Sequence, residues 1–371
     1  MISGRVVPSA AGWGESARHR RRHRPAGRDG RAGQGSGAAP DDIWRHSGRA
    51  IDIVKPTQRK PPARCKRSAT AWSHGNALGQ LRRRPLCRAS IRSLWKGYHE
   101  HMAATRPIAA ITGASAGIGA TFARTLAARG HDLILIARRP DRLQALAAEL
   151  AQRNGAKSEI VAADLTAADD LERVAERLAA VPELAMLVNN AGFGVPGRFA
   201  TAEYAGQEGM HRLHVMATLR LTHAVLAGMV ARGSGAVINV ASVAGFLTSP
   251  GAVSYGASKC WINAFTEGIW MELRGTGSPV RVQALCPGFT YSEFHDVAGM
   301  DRNKLAPKSW WCSAEQVVEE SLAGLERDRV FVIPGFRYRM LVAIVNQVPR
   351  WLRRSLLLAM ARRNGRMAAA K

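Results

Sequence analysis

Six runs of apolar residues, at 107–113, 131–137, 158–163, 184–188, 235–241 and 279–285, have the length of β-strands and little polar interruption. Strands that are apolar on both faces are those buried between two layers. Between the runs the apolar period lengthens to that of a helix, across 120–129, 141–153, 169–180, 204–231 and from Tyr255 to about Arg274. In 141–153, Leu143, Leu146, Ala147 and Leu150 share one face. Strands alternating with helices predict an α/β fold, a doubly wound parallel sheet with helices on both faces.

The first 101 residues carry neither period. They hold arginine clusters such as Arg18-His-Arg-Arg-Arg-His-Arg24 and Leu81-Arg-Arg-Arg-Pro85. The formal net charge of the 371-residue chain is +25, of which +16 falls in 1–101 and +9 in 102–371. So uneven a split weakens the nucleic-acid reading that the overall charge invites. Residues 1–101 read as a basic, low-complexity tail, disordered or a mis-assigned start, with Met102 as the favoured first residue. A basic arm for nucleic acid or acidic lipid and an Arg-rich transit peptide are the competing readings. Residues 102–335 form the α/β domain, and 336–371 an amphipathic helical extension.

The five cysteines, Cys65, Cys87, Cys260, Cys286 and Cys312, are odd in number and scattered. With no Cys-x-x-Cys pair they argue against a disulfide framework or a metal site, and for a reducing compartment. No run of eighteen uninterrupted apolar residues and no apolar signal region stand out. The expected location is cytoplasmic.

Chemistry concentrates at the ends of the strands. After the first run comes Thr112-Gly113-Ala-Ser115-Ala-Gly117-Ile118-Gly119, opening a helix. A strand, a glycine turn and a helix N-terminus bring backbone N–H groups to a phosphate. The spacing is Gly-x-x-x-Gly-x-Gly, not the Gly-x-Gly-x-x-Gly of the long-studied dinucleotide fingerprint. About 20 residues on, where an acidic residue would take the ribose 2′-hydroxyl of NAD, stand Arg138 and Arg139. Two guanidiniums suit a 2′-phosphate, so NADP(H) is expected over NAD(H).

Ser242 ends the fifth run, and Tyr255 and Lys259 follow thirteen and seventeen residues later. Spacing of four on a helix stacks the phenol and the ammonium on one face. The ammonium favours the phenolate, and the serine hydroxyl can reach the same carbonyl oxygen, so the trio suits acid/base carbonyl chemistry. A Tyr-x-x-x-Lys pair by itself is common helix surface.

Taken together, the glycine turn, Asn189-Asn190-Ala191-Gly192, Ser242, Tyr255-x-x-x-Lys259 and Pro287-Gly288 resemble, in order and spacing, the short-chain dehydrogenase/reductase family. The resemblance covers about 105–335. It implies a single Rossmann-like domain with a seven-stranded sheet, NAD(P)-dependent oxidoreduction (EC 1.1.1.-), and a homodimer or homotetramer. On that pattern Tyr255 is the general acid, Lys259 binds the nicotinamide ribose and lowers the Tyr255 pKa, and Ser242 polarises the carbonyl. Asp164 would contact the adenine side, Asn190 and Gly192 the adenosine ribose. Pro287 and Gly288 would lie beneath the nicotinamide, with Thr290 beyond them. Thr112, Gly113, Ser115, Gly117, Ile118 and Gly119 complete the cofactor set.

One position departs from the family pattern. Where an asparagine usually holds a water of the proton relay, spacing places His214; imidazole is expected to serve the relay instead. Phe289, Phe294, Met300, Leu305, Trp310 and Trp311 fall in the family's substrate lid and suggest an apolar pocket. Arg350, Arg353, Arg354, Arg362 and Arg363 alternate with apolar faces in the extension, which suits peripheral membrane contact through 336–371. The resulting expectation is an NADP(H)-dependent oxidoreductase that interconverts a hydrophobic ketone or 3-oxoacyl substrate and its alcohol. Alternatives are a steroid-type hydroxy dehydrogenase on the same site, and a non-catalytic NADP-binding regulator with a basic nucleic-acid-binding arm. The intact trio argues against the regulator, and a nucleic-acid partner is disfavoured.

Overall fold

The computed structural model describes residues 106–363 apart from 248, 298 and 302–304; the expectations for 1–101 and Met102 lie outside the described residues. Each apolar run becomes a strand: β1 (Ile108–Thr112), β2 (Asp132–Ala137), β3 (Ser158–Ala162), β4 (Leu184–Asn189), β5 (Ala236–Val240) and β6 (Arg281–Leu285). A seventh, β7 (Phe331–Val332), is too short to show a period and forms by pairing with Ala284 and Leu285. All pairings are parallel, in the order β3-β2-β1-β4-β5-β6-β7.

Among the described residues the helices with defined bounds are α1 (Gly117–Ala128), α2 (Pro140–Asn154), α3 (Ala168–Ala179), α4 (Tyr204–Arg232), α5 (Val253–Gly275), α6 (Phe294–Val297), α7 (Ala314–Glu326), α8 (Phe336–Gln347) and α9 (Arg350–Arg363). Two cores sandwich the sheet. One holds Phe122 and Leu126 of α1, Leu143 and Leu150 of α2 and Val317 and Leu322 of α7. The other holds Val174 of α3, Leu221 and Val225 of α4 and Leu273 of α5. This is the doubly wound, Rossmann-like sheet that the alternation predicts. Its strand order reverses between β1 and β4, so the connections leave in opposite directions and a crevice opens at the carboxyl ends.

Two helices begin earlier than their apolar period suggests. Helix α1 starts at Gly117, because glycines carry no periodic signal, and α5 starts at Val253, which puts Tyr255 in its first turn. Helix α4 is long and apolar enough to cross a bilayer, but its Leu221, Val225 and Met229 are core residues of the sheet sandwich. Its stretch Arg212–Ala217 is wound as a π-helix, a local expansion that recurs at functional sites.

A buried polar ladder ties α4 and α5 to the sheet. Asn189 Nδ2 donates to Thr222 Oγ1 at 3.0 Å and to Asn239 Oδ1 at 2.9 Å. Asn239 Nδ2 donates in turn to Thr266 Oγ1 at 3.0 Å. Buried amides need such partners, and an orphaned one costs its full desolvation. The ladder therefore fixes the register of α5 against β5, the register on which Tyr255 and Lys259 depend. Asn239→Leu takes one hydrogen-bond partner each from Asn189 and Thr266, at a cost of about 2–3 kcal/mol. We expect a drop in melting temperature of roughly 5–10 °C, read by thermal circular dichroism.

Candidate active site

The crevice begins where β1 ends. Gly113 and Gly117 have φ of +67° and +55°, in the left-handed region that glycine enters without strain. A Cβ at Gly119 would lie 2.3 Å from the Gly113 carbonyl oxygen, so glycine lets α1 seat directly on the turn. No side chain caps the α1 N-terminus and its first turn carries no acid, so its N–H groups and positive dipole end face the crevice. Asn190 Nδ2 holds the turn from the β4 side, donating to Thr112 O at 2.8 Å and Gly113 O at 3.3 Å. These features fit the diphosphate of a dinucleotide.

The resulting cleft, of about 610 Å³, is lined by most of the sequence-predicted set. Gly113, Ser115, Gly117, Ile118, Arg138, Arg139, Asp164, Asn190, Gly192, Ser242, Tyr255, Lys259, Pro287, Gly288 and Thr290 all reach it. Thr112, Gly119 and His214 are not among its lining residues. The Thr112 hydroxyl instead accepts from Asn190 N and Ala191 N, both at 2.9 Å, and joins β1 to β4. Thr112 and Gly119 thus shape the turn from behind.

At the end of β2, Arg139 donates to Ser115 Oγ at 3.0 Å and pairs with Glu293 at 3.1 Å. Arg142 binds the other oxygen of Glu293, and these two guanidiniums, Arg142 foremost, hold the Glu293 carboxyl below its ordinary range. A carboxylate already lies where arginines and a hydroxyl converge, which shows that the corner accepts an anion. Arg138 is exposed at the cleft wall. Asp164 accepts from Thr166 N at 3.0 Å and Thr166 Oγ1 at 2.8 Å, which fixes its carboxylate at the β3 end of the cleft.

Across the cleft stand Ser242, Tyr255 and Lys259. Lys259 is 4% exposed, and its ammonium donates to Val240 O at 2.8 Å. Burial brings its pKa down to about 7. Its Nζ lies 5.7 Å from the centre of the Tyr255 ring. Burial also holds the Tyr255 phenol above its ordinary pKa, while a hydrogen bond with Ser242 draws it partly back. Desolvation therefore outweighs the Ser242 hydrogen bond, and the expected lowering of the Tyr255 pKa is not found. Ser242 Oγ accepts from Ala244 N at 3.1 Å and donates to Pro287 O at 3.3 Å, so it faces the tyrosine from the end of β5.

His214 lies behind this row, 1% exposed, with its ring edge-on to Tyr255 at 5.8 Å between centroids. The one proton of Ser258 Oγ goes to Tyr255 O at 2.8 Å, so His214 Nδ1 must donate to Ser258 Oγ, at 2.9 Å. The imidazole is then neutral with a bare Nε2, in keeping with a pKa held well below 6.5 by burial and by Lys259. Nε2 has no partner among the described residues. A Cβ at Gly192 would lie 2.7 Å from it, and no hydrogen bond joins His214 to Lys259. Through Ser258, His214 braces the first turn of α5.

The strongest contact missing from the sequence reading comes from α8. The Tyr338 ring lies flat against Gly288, where a Cβ would stand 2.0 Å from it. Its hydroxyl accepts from Phe289 N at 2.9 Å and donates to Trp310 O at 2.7 Å. The Pro287-Gly288 turn and the lid are thus pinned to α8. Phe289, Phe294, Met300, Leu305, Trp310 and Leu341 of α8 form the apolar end of the cleft. Trp311 is displaced from it, stacking on Tyr291 at 5.0 Å. Glu293, too, escapes sequence reasoning, since its arginine partners lie about 150 residues away.

Comparison with known proteins bears on this geometry. The family model described as short chain dehydrogenase matches residues 107–303. The very-long-chain 3-oxoacyl-CoA reductase of Anas platyrhynchos is 28% identical over 207 residues, 54% of this chain and 65% of that protein. The chain thus spans just under two thirds of the length of that curated relative. A short-chain dehydrogenase from Sphingobium yanoikuyae in complex with NADPH is 36% identical, with a TM-score of 0.59 over 66% of this chain and 97% of that one. The bulky-bulky ketone specific alcohol dehydrogenase from Comamonas testosteroni is 31% identical, with a TM-score of 0.56 over 71% and 97%. The glycine turn, the switch-point cleft and these likenesses agree: the chain belongs to the short-chain dehydrogenase family of nicotinamide-dependent oxidoreductases.

Proposed function

We propose that the chain reduces a hydrophobic ketone or 3-oxoacyl substrate to its alcohol with NADPH, or runs the reverse reaction. The observation that carries this is one continuous cleft. It has a phosphate-fitting glycine turn at one end, Ser242, Tyr255 and Lys259 in the middle, and the apolar wall of Phe289, Phe294, Met300 and Trp310 at the other. The names of similar proteins support the class, since one is a 3-oxoacyl-CoA reductase and another is specific for bulky ketones.

A nicotinamide held in this cleft would supply the hydride. This chain's residues manage the proton and the orientation. Tyr255, held above its ordinary pKa, stays protonated at neutral pH and gives its phenolic proton to the carbonyl oxygen. Ser242 turns its hydroxyl from Pro287 O to that same oxygen and fixes its position. Lys259 in its ammonium form would hold the ribose hydroxyls and stabilise the phenolate that Tyr255 becomes. Arg138 and Arg139, with Ser115, would hold the 2′-phosphate, in the place where Glu293 now pairs with Arg139.

Assayed over 3-oxoacyl thioesters, ketosteroids and aliphatic ketones, the protein should oxidise NADPH faster with bulky apolar ketones than with small polar ones. Arg139→Ala should weaken NADPH by roughly tenfold or more and NADH by less than about threefold. Equal losses for both cofactors would contradict the 2′-phosphate assignment.

The lowered pKa of Lys259 gives a pH test. The ammonium that binds ribose is present below about pH 7 and is lost as pH rises through that value. NADPH affinity, titrated by fluorescence, should therefore fall with rising pH through that window, and Lys259→Arg should flatten the profile. A wild-type profile that is flat through the same window would rule out the ammonium's part in binding.

A further inference from the structure

Helix α8 turns one face inward and leaves the other bare, and α9 is exposed around most of its circumference. In α8, Tyr338 and Val342 are buried, while Phe336, Met340 and Ile344, spaced four apart on the opposite face, are 68%, 45% and 57% exposed. In α9, Ala361 is buried, whereas Trp351, Leu356 and Leu358 are 69%, 52% and 43% exposed. Among the described residues, seven of the fifteen large apolar side chains that are exposed fall on these two short helices. Apolar exposure concentrated in this way marks a surface that is covered in use.

The charge of the two helices identifies the cover. Residues 336–363 contain seven arginines and no aspartate or glutamate. Arg339 pairs with Glu320 and Arg337 donates to Ser309 O, but Arg353, Arg354 and Arg362 have no ion pair among the described residues. A second copy of the chain seated on the same face would lay arginine against arginine, because a two-fold interface repeats one patch on both sides. An anionic lipid surface meets both requirements. Apolar side chains enter the acyl boundary while arginines stay at the headgroups.

We infer that α8 and α9 dock the protein on an anionic phospholipid bilayer through the exposed apolar side chains of Phe336, Met340, Ile344, Trp351, Leu356 and Leu358. The inner face of α8 gives Tyr338 and Leu341 to the cleft, so one helix separates the bilayer from the apolar end of the site. A substrate dissolved in lipid would meet the cleft across that helix. This route rests on the hydrophobic-substrate reading; the docking itself does not, and bilayer binding can fail while ketone reduction stands.

The test is co-sedimentation of the full chain with phosphatidylglycerol/phosphatidylcholine vesicles and with phosphatidylcholine vesicles. The variant Ile344→Ser/Trp351→Ser/Leu356→Ser leaves the basic residues of 1–101 in place, so its difference from wild type reports α8 and α9 alone. We expect strong binding to the anionic vesicles and weak binding to the neutral ones. Binding of the triple variant should weaken by about tenfold or more, with circular dichroism unchanged. Arg353→Ser/Arg354→Ser should weaken binding at low salt, and this difference should vanish near 1 M, where the Debye length is about 3 Å. Vesicle binding by the triple variant equal to that of wild type overturns the inference. So does equal binding of wild type to neutral and anionic vesicles. A triple variant that changes only the oligomer mass in sedimentation velocity also overturns it and assigns the face to a second copy.

Discussion

Everything in the site is arranged around an ammonium kept out of water. Taking a lysine charge into a protein interior costs several kcal/mol unless the surroundings answer it. For Lys259 the answer is a single carbonyl, Val240 O, at the last residue of β5. That bond locks α5 to the end of β5, and the chain leaving β5 carries Ser242 two residues later. Tyr255, one turn before Lys259, is set by the same lock. Burial then leaves the ammonium with a pKa of about 7, and the costly placement becomes an adjustable charge beside a phenol. The ladder through Asn189, Asn239 and Thr266 keeps α5 from sliding away from that bond.

A second constraint is close backbone approach. At Gly119, Gly192 and Gly288 any side chain would run into the Gly113 carbonyl, the His214 ring or the Tyr338 ring. These three contacts set the floor of the crevice at the α1, β4 and β6 ends. They also explain why residues outside the reactive row matter to it. His214 supports Gly192 and, through Ser258, the first turn of α5. Tyr338 supports Gly288 while its helix walls the apolar end.

Much of this could be read from the sequence because it is written in local spacing. Apolar runs gave six strands; glycines at 113, 117 and 119 gave the turn; the intervals from Ser242 to Tyr255 and Lys259 gave the row of reactive groups. What the sequence did not disclose is pairing across distance. Glu293 meets Arg139 and Arg142 only once the lid folds over the end of β2. Tyr338 finds Gly288 only after α8 packs back on the sheet. The direction of the Tyr255 pKa depends on how deeply the phenol is buried, which no spacing records, and there the simple reading from a neighbouring charge gave the opposite sign. His214 was found by its position, but its hydrogen-bond partner and neutral state needed the π-turn of α4 to be seen.

If a protonated Tyr255, positioned by Ser242 and Lys259, delivers the proton of carbonyl reduction, losing its hydroxyl must separate cofactor binding from turnover. The most direct test compares Tyr255→Phe with wild type in two readings on the same preparation: NADPH dissociation constant by fluorescence, and NADPH oxidation with the best apolar ketone. Removing one hydroxyl from a site otherwise unchanged should leave the dissociation constant within about threefold and lower the oxidation rate by at least about 100-fold. A variant that binds NADPH normally and still turns over within about tenfold of wild type would contradict the account.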